Sequence, residues 1–82
     1  MIIGTCTITM RAEWVTSLKE KRMVVKSIIE KTRNRFNVSI AEIDCQDSHR
    51  EIVIGIVCVS NEVRHATSII NHVLHFIERN TE

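Results

Sequence analysis

The chain has no proline, no tyrosine and only two glycines, Gly4 and Gly55. That scarcity excludes a glycine-rich phosphate loop, a dinucleotide fingerprint and a Gly-x-Ser-x-Gly nucleophile elbow, all of which need several glycines at fixed spacing. Aromatic residues are equally few, with Trp14, Phe36 and Phe76 making up the 4% present, so the core has to be built from Ile and Val. Cysteine numbers three: Cys6, Cys45 and Cys58. An odd count, with each residue in or at the end of an expected strand, does not form a disulfide framework. The three thiols read as small buried hydrophobes in a reducing compartment.

No long apolar run and no basic leader opens the chain, and the first residues alternate Ile with Thr as a strand does, which predicts a cytoplasmic protein rather than a secreted one. What is present is ordinary for a globular domain, with 44% hydrophobic and 26% charged residues over 82 positions. That length predicts one domain, residues 1 to 82, which buries only roughly 60% of the surface its unfolded chain exposes. The formal charge of +1 gives the molecule no overall field. Its distribution is uneven. Lys19, Lys21, Arg22, Lys26, Lys31, Arg33 and Arg35 are seven of the eleven Lys and Arg, opposed in that stretch by Glu20 and Glu30 alone.

Periodicity predicts five elements. Residues 2 to 11 place Ile2, Gly4, Cys6, Ile8 and Met10 on one face of a strand and Ile3, Thr5, Thr7, Thr9 and Arg11 on the other. Ser17 and Glu20 form a capping-box pattern ahead of Leu18, Val25, Ile28, Ile29, Thr32 and Phe36, which recur at helical spacing to about Asn34 or Arg35. From Asn37 the period returns to two, with Val38 and Ile40 opposite Ala41, Ile43 and Cys45, up to a polar hairpin loop at Gln46, Asp47, Ser48 and His49. Glu51 to Val59 reads as a strand apolar on both sides, hence central. Ser60 or Asn61 then caps a last helix whose apolar stripe is Val63, Ala66, Ile70, Val73, Leu74 and Ile77.

The order β-α-β-β-α predicts an α+β fold of ferredoxin-like type, a two-layer sandwich with a small mixed or antiparallel sheet, lacking the final strand. Right-handed crossovers put both helices on one face. The other face is then bare, and a homo-oligomer is the simplest way to cover Val53, Val57 and Val59 and to shield the first strand.

Four groups of residues are candidate sites. Lys19, Arg22, Lys26 and Arg33 fall within about 60° on a helical wheel and form a cationic ridge, read either as a solvated helix face or as a track for nucleic-acid phosphates. Trp14, in the loop before that helix, is either a lid on the core or a base-stacking platform beside the ridge. His65, His72 and His75 share the polar half of the last helix, but no third ligand at metal spacing accompanies the pair at 72 and 75. Asp44, Asp47 and His49 have turn chemistry as their simplest role. The sequence therefore predicts no catalytic residues, no cofactor and no metal.

The run SLKEKR at 17 to 22, KS at 26 and 27, RNRFNVSIAEID at 33 to 44, QD at 46 and 47 and IGIVCVSN at 54 to 61 resembles the YlxP-like family of short bacterial proteins of unknown function. The resemblance covers nearly the whole chain and implies a ferredoxin-like fold without an assigned activity. Members are often encoded near translation initiation and ribosome-maturation factors, which implies RNA or the ribosome as a partner. The chain departs from the family pattern at Glu13 to Thr16, where a Pro-Gly type turn is common, and at Ser48 and His49, where an aromatic is common.

Overall fold

The computed structural model describes residues 1–81 and contains strand β1 (Ile2–Arg11), helix α1 (Leu18–Arg35), strands β2 (Ser39–Asp44) and β3 (Glu51–Ser60), and helix α2 (Val63–Asn80). The architecture is α+β with the expected element order. The three strands form one sheet in the order β1-β3-β2, and β3 pairs antiparallel with both neighbours. Among the described residues no helix is long and apolar enough to cross a membrane.

The register explains where the core sits. Ile8 lies opposite Ile54, Met10 opposite Ile52, and Ile56 is flanked by Cys6 and Ile40. These residues share one side of the pleat, and Ile40, Ile52, Ile54 and Ile56 are buried with Val25 and Ile28 of α1 and Val73 and Ile77 of α2. The alternate residues of β3 are different. Val57 and Val59 are exposed, and so are Ile3 of β1 and Ile43 of β2. The central strand is thus apolar on both sides, as its sequence suggests, but only one side is covered.

Local chemistry fixes the ends of each element. Ser17, with φ −149° and ψ 160°, accepts a hydrogen bond from the Glu20 N–H at 3.1 Å and starts α1. Glu20 does not complete a capping box, because its carboxylate accepts from the Thr16 hydroxyl at 3.0 Å instead. Extended Phe36 stops the helix while its N–H still bonds Thr32 O. A register shift between Glu42 and Asp44 marks a bulge in β2, and Cys45 takes a left-handed φ of 55°. The following turn is closed by Ser48 N–H on Cys45 O and by the Ser48 hydroxyl, which accepts from Glu51 N–H.

Several sequence expectations shift. β2 begins at Ser39 rather than Asn37, and α2 is capped at Glu62, not at Ser60 or Asn61, with no side-chain cap bond. Ser60 Oγ instead accepts the Glu62 N–H at 3.1 Å, just outside the helix. Val63, placed on the apolar stripe by spacing, is exposed because it sits at the first turn of α2, whereas Ile69 and Phe76 pack against the core. Of the cysteines only Cys58 is buried, since Cys6 lies on an edge strand and Cys45 in a turn. Ala12 and Val15, both fully buried, flank Trp14 and Glu13 in the loop before α1.

Lys21 is the main departure. Its side chain is completely buried and its ammonium donates to Glu42 on β2 and to the Cys45 carbonyl at 2.9 Å. It occupies the same helical row as Val25, Ile28 and Thr32, so it ties the start of α1 to the bulged end of β2. Removing one partner leaves the other charge poorly solvated. Lys21→Met should therefore cost about 2–3 kcal/mol, less than for a fully enclosed pair because Glu42 keeps some solvent contact. Lys21→Met with Glu42→Met should recover more than half of the loss in urea denaturation.

Candidate functional site

α1 does present the cationic ridge to solvent, but its members are not equivalent. Lys19 is exposed, and the Arg22 and Lys26 side chains are 62% and 76% exposed. Arg22 lies 4.0 Å from Asp47 of the hairpin loop, and Lys26 lies 4.0 Å from Glu30 one turn along the same helix. Both are loose, solvated contacts. Arg33 is engaged differently: its guanidinium donates to the backbone carbonyl of Ile40 at 3.3 Å and braces the start of β2. Arg35, outside the ridge, stacks over Phe36 and Phe76, whose rings meet edge to face at 5.5 Å.

Trp14 is 55% exposed and lines a hollow of about 490 Å³ with Met23, Val24 and Ile28 of α1 and Thr81 after α2. This hollow takes in none of the four ridge cations. It adjoins a second, more polar hollow through Met23 and Ser27, and Lys26 lines that one. Met23, which lines both hollows, lies one turn from Lys19 and from Lys26 on α1.

The remaining candidates stay apart. His65 Nδ1 is 3.0 Å from Ser60 Oγ at the entry to α2, while His72 and His75 are exposed further along the helix. Among the described residues no three His, Cys, Asp or Glu side chains gather around a common point. Asp44 accepts from the Cys45 N–H at 2.8 Å, which is turn chemistry as expected, and Asp47 faces Arg22. The Cys45 thiol is pushed above the ordinary thiol range, first by desolvation and then by its hydrogen bond to the Glu51 carboxylate. A raised pKa leaves less thiolate at neutral pH, which makes Cys45 a poor nucleophile.

The profile described as Protein of unknown function (DUF503) matches residues 3–82. The chain belongs to the DUF503 family. It is also 44% identical over 62 residues to Uncharacterized protein YlxP of Bacillus subtilis (strain 168), an overlap that covers 76% of this chain and 67% of that protein. Membership of this family supplies no activity, so the reading of the DUF503 chain rests on its own surfaces.

Two features escaped sequence reasoning. Lys21 counts as one of the seven clustered cations, yet its place in the Val25, Ile28 and Thr32 row is the signal that it points inward. The link between Arg33 and the Ile40 carbonyl has no sequence signature at all. Since Arg22 and Lys26 hold only exposed contacts, Arg22→Gln with Lys26→Gln should change stability by less than about 0.5 kcal/mol. A thermal melt superimposing on wild type within ~3 °C is the expected result.

Proposed function

We propose that the DUF503 chain is a non-enzymatic, cytoplasmic interaction module of ferredoxin-like type, with both helices on one face of the sheet, that works as a homo-oligomer. One observation carries this reading: the outer sheet face is apolar or hydroxylic along its length. Ile3, Thr5, Thr7 and Thr9 of β1 lie opposite Val59, Val57, Gly55 and Val53 of β3, and Ala41 and Ile43 of β2 continue the surface. Ile3 and Val59 are 56% and 63% exposed. Charge is confined to one end, where Arg11 and Glu51 pair at 3.4 Å and Asp44 lies opposite Val53.

A face depleted of charge at its centre with ions at its rim has the composition of a protein interface. A second copy is the fitting occupant because the middle of the surface, from Thr5 and Thr7 through Gly55 and Val57 to Ala41, carries no charge to repel its like. Ile43 also folds across Gly55, where an added Cβ would lie 3.0 Å from the Ile43 Cγ2, and a hollow of about 340 Å³ walled by Thr5, Thr7, Ala41, Ile43 and Val57 opens on the same strip. Burying ~600 Å² of apolar surface per subunit at about 25 cal/mol/Å² is a gross gain near 15 kcal/mol, before an association cost of about 4–15 kcal/mol is subtracted. Wild type should sediment above the 9.5 kDa monomer mass at micromolar concentration, and Val57→Lys, which plants a charge mid-face, should lower the assembly state. A wild type that stays at the monomer mass through high micromolar concentration removes the proposal.

A second reading is that the ridge of α1 contacts RNA backbone as an accessory to the ribosome. The observation favouring it is that Lys19, Arg22 and Lys26 remain solvated with only loose partners. Arg33 is committed to Ile40, so about three phosphates are within the ridge's capacity, giving a log-log salt slope near −2.1 for single strands. Affinity should then fall roughly twentyfold from ~50 to ~200 mM salt, and the Arg22 and Lys26 double substitution should flatten the slope by about 1.4. Filter binding that shows no RNA retention at low salt discards this reading.

A further inference from the structure

β1 and β2 are the two edges of the sheet, and they are built differently. β2 is six residues long, carries Glu42 and Asp44, bulges between them and ends at left-handed Cys45. Charge, brevity and a bulge are the devices that blunt an edge against further pairing. β1 has none of them. Its register with β3 is unbroken for ten residues from Ile2 to Arg11, and its single charge is Arg11 at the far end. A long, regular, uncharged edge is a template for another strand.

The hydrogen-bonding phase of that edge follows from the end of β1. Ala12 N–H donates to Arg50 O at 2.7 Å, so the antiparallel ladder turns the N–H and C=O of Gly4, Cys6, Ile8 and Met10 toward β3. The same groups of Ile3, Thr5, Thr7 and Thr9 then point out of the sheet and lack a strand to bond. Beside this edge an apolar hollow of about 220 Å³ lies between β1 and α2, with Gly4, Val63, Ala66 and Ile70 in its wall. Gly4 offers no side chain to fill it. A Cβ there would meet Cys58 Sγ at 2.9 Å, so the position is fixed as small.

We infer that β1 pairs antiparallel with β1 of a second copy about a twofold axis at Cys6, making one continuous six-stranded sheet. The inference rests on the self-association reading above and adds a second surface to it. Outward-facing odd residues must meet odd residues, so the axis passes through a residue, and centring on Cys6 engages the whole strand. Thr5 then faces Thr7 of the second copy and Ile3 faces its Thr9, a β-branched and threonine ladder that favours pairing. On the inner side Gly4 faces Ile8 of the second copy, next to the hollow that Gly4, Ala66 and Ile70 line. The contact is isologous and closes as a dimer. Because edge and outer face are separate surfaces, using both gives a dimer of dimers.

Sedimentation equilibrium on wild type, Val57→Lys, Thr7→Pro and the double variant tests this. Thr7→Pro removes an outward N–H and keeps the ladder to β3, because proline is tolerated on the free side of an edge strand. Expected are tetramers for wild type, edge dimers for Val57→Lys, face dimers for Thr7→Pro and monomers for the double variant, with edge association weakened at least ~10-fold by the proline. A Thr7→Pro protein with the wild-type assembly state overturns the edge inference and leaves the face reading standing. A Val57→Lys protein that keeps the wild-type state, with Thr7→Pro reduced, does the reverse.

Cross-linking covers the case in which Thr7→Pro fails to fold. Directly opposed residues of a non-hydrogen-bonded pair have Cα atoms about 4.5 Å apart, within disulfide range. Diamide should therefore convert Cys45→Ser protein to a covalent dimer that is lost when Cys6→Ser is added. Absence of a Cys6-linked dimer contradicts the twofold at Cys6.

Discussion

Alternation along β3 is the constraint on which the structure depends. Ile52, Ile54, Ile56 and Cys58 are buried, while the residues between them, Val53, Gly55, Val57 and Val59, are almost as apolar and lie on the other side of the pleat. Because β3 pairs on both edges, no slip of register can hide the second set without exposing the first. Among the described residues the two helices bury one of the two sets. The other set is left as surface, and its composition is that of a contact region.

Charge is arranged to serve the same division. The cations cluster on α1, away from the sheet's outer side, and the one that lies in the apolar row of that helix, Lys21, is neutralised by Glu42 and tied to the Cys45 carbonyl. This link joins the first turns of α1 to the bulged end of β2. Arg33 braces the opposite end of β2 through Ile40 O. β2 is thereby held by α1 at both ends, and β1 is the edge left free.

Element types and order were legible from periodicity alone, because each switch between periods of two and about 3.6 is sharp, as at Ser17 and Asn37. Boundaries were less so. Asn61 and Ser60 both look like helix caps, but the backbone turns in only at Glu62, and Ser60 serves from outside the helix. Of the candidate site, the ridge positions were readable from the wheel, whereas the pairing of Arg22 with Asp47 and of Lys21 with Glu42 depends on where the β2-β3 hairpin lies against α1. Trp14 shows the limit most clearly: its place in the loop is visible in sequence, but the hollow it shares with Met23 and Thr81 depends on how α1 and the end of α2 come together. The contrast between the two edges was half visible, since the charges of β2 are in the sequence and its bulge is not.

We propose that the free β1 edge of the sheet is a surface for a second copy of the chain. Amide hydrogen exchange followed by NMR tests it most directly, because Thr5 and Thr7 direct their N–H groups away from β3 while Cys6 and Ile8 direct theirs toward it. All four amides should be protected at high protein concentration, and Thr5 and Thr7 alone should lose protection on dilution. Free exchange of Thr5 and Thr7 at high concentration, beside protected Cys6 and Ile8, would contradict it.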